Sequence, residues 1–165
     1  MKTNFEPNWE TAEKLYPAIK TLIEKYAAYC DENGDEEFVE YKKLETKLHE
    51  MTGKDISRYN LSEWWEEEGI EVLSFRISLP DPVLCDSISK EEMTEVVRRI
   101  KTGARPEYED SFKKDFIYYL DDYYHEFLKK HFKKYKYEYF NRQKSKSGKY
   151  FEYTSEEIVE KIWSE

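Results

Sequence analysis

Apolar residues recur at helical spacing along most of the chain. After Asn8, a residue type that caps helices, come Ala12, Leu15, Ile19, Leu22, Ile23, Tyr26 and Cys30. Their three- and four-residue steps put them on one face. Pro17 interrupts this pattern, and with no N–H to donate it would cost an interior turn about 3 kcal/mol. The expectation is a short first turn and then a main helix from Pro17, where the missing donor does no harm. Asp31–Asp35 ends that helix, with Gly34 suited to a positive φ past the terminus. A second helix is expected from about Glu36 to Met51, with Phe38, Tyr41, Leu44, Leu48 and Met51 on one side. Residues 9–51 thus read as a helical hairpin. A further short helix is expected over Ser57–Glu68, stopped by Gly69.

The period then changes. Leu73, Phe75, Ile77 and Leu79 alternate with Val72, Ser74, Arg76 and Ser78, which predicts a strand over about 71–79. Ser89 and Glu92 have the spacing of a capping box. Met93, Val96, Val97 and Ile100 continue it as a helix, completing a strand and capped helix over about 70–102. A long aromatic helix follows over about 111–133. From Phe112 to Tyr139 its apolar positions advance by a mean of about 3.9 residues against the 3.6 of a helical turn, so the stripe drifts off any one face. The helix is therefore expected to stop near 133. Tyr135, Tyr137 and Tyr139 alternate with Lys136 and Glu138, predicting a hairpin over about 135–153 that turns at Ser145–Gly148 and returns through Tyr150–Tyr153. Thr154 starts a last helix with Ile158, Ile162 and Trp163, so that the basic hairpin and last helix occupy about 134–164. The expected fold is α+β, a mostly helical single domain over 1–165 with a small antiparallel sheet.

Composition sharpens this picture in two places. The 165 residues include 4 Trp, 15 Tyr and 9 Phe, or 17% aromatic, far too many for a disordered chain. No run approaches the roughly 18 apolar residues of a membrane span, and Met1–Pro7 lacks the apolar core of a signal peptide. No membrane partner is expected. Cys30 and Cys85 are too few to staple a domain of this size, so reduced thiols in the cytoplasm are expected.

Charge is unevenly distributed. The formal net charge is −9, yet residues 129–149 hold Lys129, Lys130, Lys133, Lys134, Lys136, Arg142, Lys144, Lys146 and Lys149 against Glu138 alone. That segment carries +8, which leaves −17 on the other 144 residues. Cations interleaved with Tyr135, Tyr137, Tyr139, Phe140, Tyr150 and Phe151 suit a surface that tracks phosphates and stacks on bases. The same pattern also suits strand tyrosines packed on a core with edge lysines that deter aggregation. A third arrangement would turn the cations toward the acidic body and ease its self-repulsion. The acidic part has its own cluster, Glu63, Trp64, Trp65, Glu66, Glu67 and Glu68. Adjacent helical tryptophans point about 100° apart. Either both pack inward, or one stays near the surface as an interface anchor with a charged rim.

Catalytic signatures are sparse. His125 and His131 are six residues apart, about 240° around a helix, and cannot share an ion. Asp121 and His125 do share a face, which leaves open a metal-dependent hydrolase built around them. Asp31, Asn33 and Asp35 begin like a calcium loop, but Glu36 stands at the glycine position and Lys42 at the glutamate position. There is no phosphate-binding glycine loop and no nucleophile elbow. Only 5 glycines are present, too few for an extended backbone cradle, and no cofactor is expected.

In size and acidity the chain resembles bacterial immunity proteins and phage-encoded inhibitors of defence nucleases. The likeness is one of overall character and no family motif carries it. The absent catalytic motifs, the −17/+8 charge split and the abundance of aromatics that favour interfaces point to a non-enzymatic cytosolic binding protein, an inhibitor or regulator of another macromolecule. Its partner would be a protein, one that handles nucleic acid. Direct nucleic-acid binding through 129–149 is the alternative.

Overall fold

The computed structural model describes residues 3–66 and 68–163. Glu67 of the acidic cluster, and Ser164 at the end of the expected 134–164 stretch, lie outside them. The architecture is mostly helical α+β, with seven α-helices and one two-stranded antiparallel sheet among the described residues. No helix among them is long and apolar enough to cross a membrane. The chain gathers into two compact units, Asn8–Pro80 and, separately, 3–7 with 81–163.

In the unit Asn8–Pro80, α1 (Trp9–Asn33) and α2 (Val39–Thr52) form the expected hairpin. Asn8 caps α1, its side chain accepting from the Thr11 N–H at 3.1 Å. The expected break at Pro17 is absent, and α1 runs through it. Pro17 and Glu13 are both exposed, so water can take the carbonyl that a donor at 17 would have bonded. Phe38, expected on the buried side of the second helix, instead stands ahead of α2 at a positive φ of 57° and is half exposed. Asp35 holds that turn by accepting from the N–H groups of Glu40 and Tyr41 and from the Tyr26 hydroxyl. The expected helix over Ser57–Glu68 is also missing. Two single 3-10 turns replace it, Ile56–Arg58 and Trp64–Glu66, because Asp55 and Asn60 side chains bond the backbone just after themselves.

The predicted strand at 71–79 is a helix, α3 (Ile70–Ser78). The alternation misleads because this helix is enclosed on most sides. Leu73 and Ile77 join Ile19, Ile23, Leu44 and Leu48 in one core cluster, while Phe75 stacks on Trp9 at 5.7 Å. Ser74 and Ser78 are buried too, and the Ser78 hydroxyl donates to the Ser74 carbonyl within the helix. Apolar residues at every second position therefore mark a buried helix with small serines between them. Lys54 completes its C-terminus: the buried ammonium donates to the carbonyls of Arg76 and Leu79, both at 2.7 Å.

In the other unit, α4 (Lys90–Thr102) carries the expected capping box of Ser89 and Glu92, and Gly103 closes it at a φ of 74°. The long aromatic helix is two helices, α5 (Ser111–Phe116) and α6 (Asp121–His131), with a 3-10 turn at Ile117–Tyr119 between them. The break re-phases the drifting stripe, so Phe116, Ile117, Leu120, Tyr124, Phe127 and Leu128 are all buried. The end at His131 agrees with the expected stop. Of the predicted hairpin, Tyr150–Phe151 returns as β2, but its partner is β1 (Gln143–Lys144) and not the tyrosine run. Residues Tyr137–Phe140 form a 3-10 turn instead. The last helix, α7 (Ser155–Ile162), starts at a capping box of Thr154 and Glu157 and packs on α4. Arg99 of α4 is buried, bonded to the Tyr124 hydroxyl and Glu95 and set over the Phe5 ring.

A pair of substitutions tests the placement of α3. Leu73→Ala should cost about 2–5 kcal/mol in urea unfolding, while exposed Glu71→Ala should stay within about 0.5 kcal/mol of the parent.

Candidate nucleic-acid interface

The basic segment begins where α6 ends. Lys129 and Lys130 lie in its last turn, where cations meet the negative end of the helix. Phe132 then turns inward against Trp163, at 6.1 Å between ring centres. A second anchor is His125, whose Nδ1 shares a hydrogen bond of 2.7 Å with the Tyr135 hydroxyl. The rings of Tyr137 and Phe140 each lie 4.8 Å from that imidazole. This clamp is why the tyrosine run curls into a 3-10 turn: three of its rings converge on one point, which an extended strand could not achieve. A third anchor joins Tyr139 to Tyr153 at 6.3 Å, with the Lys161 ammonium 4.5 Å from the Tyr153 ring. Between these fixed points the chain offers its cations outward.

All nine basic residues of the segment are exposed. Among the described residues none of the nine forms an ion pair with a carboxylate. Two neighbouring carboxylates are engaged elsewhere: Glu152 by Lys101 at 3.2 Å and Glu160 by Lys90 at 2.9 Å. Arg142 lies over the Tyr150 ring at 4.3 Å, and Tyr137, Tyr150 and Phe151 are each more than 40% exposed. A cleft of about 300 Å³ beside the root of the segment is lined by Asp81, Pro82, Glu126, Lys129 and Lys130.

Charge also divides between the units. Residues 8–80 carry 9 Lys+Arg and 17 Asp+Glu, a net of −8, while 1–7 with 81–165 carry 18 and 19, a net of −1. The molecule's acidity is therefore concentrated in the unit that lacks the basic segment.

The acidic cluster is smaller than its sequence suggests. In the 3-10 turn Trp64–Glu66, Trp64 packs against the core cluster and Trp65 is 62% exposed. Glu63 and Glu66 flank Trp65 and face solvent. Glu68 does not join them, because both of its oxygens accept from Arg76 at 3.0 Å.

The Asp121 and His125 pairing does not form. Asp121 is bound by the Arg105 guanidinium, and His125 is enclosed by the aromatic clamp. Among the described residues no three His, Cys, Asp or Glu side chains are placed to hold a metal ion. Sequence spacing alone missed the importance of His125. The signal was available in the aromatic residues at 135, 137 and 140, read as three rings seeking one half-buried partner and not as a strand.

Burial holds the His125 pKa below its ordinary value, against the opposing pull of Asp121, Asp122 and Glu126. The unfolded chain therefore takes up the proton first. The clamp's contribution is fully present above about pH 6.5 and is lost as the pH falls through the folded value. Stability measured by urea unfolding should thus decline between pH 7 and 5, and His125→Phe should flatten that decline. An unchanged slope in the variant would remove His125 as the group responsible.

Compared with known proteins, the chain matches no family model, and no curated protein or solved structure is significantly similar to it.

Proposed function

We propose that this chain works by binding another macromolecule, without catalysis, and that its binding surface is the basic aromatic segment 129–149 with nucleic acid as its partner. The observation that carries this reading is nine exposed cations without carboxylate partners among the described residues, interleaved with exposed aromatic rings. Lysine and arginine neutralise backbone phosphates and release their counterions, a contribution that does not depend on sequence. The net charge of −9 would oppose approach to a polyanion. That opposition is weakened because the unit bearing the segment is near neutral. Two free thiols, Cys30 and Cys85, fit a reducing cytosolic setting.

Exposed Trp65, flanked by Glu63 and Glu66, favours a second reading. An exposed tryptophan with carboxylates beside it has the make-up of a hot spot for a basic protein surface. The partner would be a nucleic-acid-handling protein that this chain inhibits or regulates, in the manner of an immunity-type or anti-defence inhibitor.

The two readings separate by salt and by substitution. Binding to a mixed-sequence oligonucleotide should weaken linearly in log–log form, with a slope on the order of −0.7 to −0.9 per phosphate neutralised. Lys133→Glu with Lys136→Glu should weaken binding at least tenfold at low salt and make the slope shallower, while Glu66→Lys should not weaken it. Loss of affinity in Glu66→Lys with none in the lysine pair would reverse the assignment. For the second reading, a basic protein partner should be lost in Trp65→Ala and retained in the lysine pair.

A further inference from the structure

We infer that the hairpin face bearing Arg142, Lys144 and Tyr150 receives a single strand of nucleic acid, with one base stacked on the Tyr150 ring. This rests on the reading that segment 129–149 binds nucleic acid, and it specifies the form of that ligand. The register of the hairpin carries the argument. Lys144 on β1 pairs directly with Tyr150 on β2, and Gln143 pairs with Phe151. Side chains of a strand alternate in direction, so Lys144 and Tyr150 share one face with Arg142, while Phe151 occupies the other. The side chains agree: the Arg142 guanidinium lies 4.3 Å and the Lys144 ammonium 5.8 Å from the Tyr150 ring centre. Tyr150 is still 58% exposed with both cations beside it.

Residues two apart along a strand are separated by about 6.5–7 Å. That is comparable with the step between successive phosphates of an extended single strand. Arg142 and Lys144 can thus meet neighbouring phosphates while the ring beside them meets the intervening base. A guanidinium already lying on a tyrosine also extends the flat surface on which a base can lie. The turn that follows is held in shape. The Ser145 N–H donates to the Lys149 carbonyl at 2.8 Å, and the Gly148 N–H donates to the Ser145 carbonyl at 2.9 Å. Gly148 has a φ of 85°, which a side chain would strain. Lys146 and Lys149 are therefore carried at the tip on a defined backbone, continuing the line of positive charge past the ring. A duplex would engage these cations equally well. Its bases are stacked inside, however, and would leave the exposed rings unused, which is why a single strand suits this face better.

The experiment is fluorescence anisotropy of the full chain with a labelled oligo(dT), a labelled duplex of equal length, and heparin, a polyanion with no bases. The parent should bind oligo(dT) more tightly than duplex. Tyr150→Ala should weaken oligo(dT) binding about 5- to 150-fold, the range expected for losing one base–aromatic stack, and leave duplex and heparin affinities nearly unchanged. Tyr150→Trp should restore it. Because Tyr150 is exposed, the variant should unfold at the same urea midpoint as the parent, and that measurement is made alongside. Equal affinity for all three polyanions, with no effect of Tyr150→Ala, overturns the single-strand inference and leaves the phosphate reading standing. Failure to bind any of the three overturns both.

Discussion

A cation removed from water must find hydrogen-bond acceptors in its place, and this constraint sorts the charges of the whole molecule. Lys54 and Arg99 show what burial demands. Lys54 is 6% exposed, and its ammonium is bonded to two carbonyls at the end of α3. Arg99 is 7% exposed and meets Glu95, Glu6 and the Tyr124 hydroxyl. Both hold together segments distant in sequence, Lys54 joining the end of α2 to α3, and Arg99 joining α4 to α6 and to residues 5–6. The nine cations of 129–149 meet no such demand because they never leave solvent, and so they remain available to an outside anion.

What makes that segment a surface, and not a loose tail, is its aromatic content. Phe132, Tyr135, Tyr137, Tyr139 and Phe140 all have ring contacts that tie the backbone down, chiefly on His125 and Tyr153. Lysines between them then have nowhere to point but outward. Aromatic packing and cation exposure are two consequences of one alternating sequence. The same residues that fix the chain also set the spacing of its charges. A ligand binding there meets backbone that is already ordered, which lowers the entropic cost of association.

The helical ends were legible because capping is local chemistry. Asn8, Ser89 with Glu92, and Thr154 with Glu157 each satisfy backbone groups within four residues, so side-chain type and spacing suffice to locate them. The failures share a different cause. Alternation at 71–79 and at 135–139 matches the pleat of a strand, but both segments answer to surroundings supplied by distant residues. Around α3 those are α1, α2 and Lys54, and around the tyrosine run they are His125 and Tyr153. Pro17 misled in the opposite direction, since its cost falls when the unpaired carbonyl faces water.

From the sequence alone came the mostly helical α+β class, the helical hairpin, the capping box at Ser89 and the segregation of +8 into 21 residues. All depend on residue type and near spacing. Only the tertiary structure decided which charges are spent internally: Glu68 on Arg76, Asp121 on Arg105 and Glu152 on Lys101, with the cations of 129–149 left over. It also decided which of two adjacent tryptophans packs on the core and which faces water. Ion pairing and burial depend on distances between residues far apart in the chain, and the order of amino acids does not contain those distances until the core has packed.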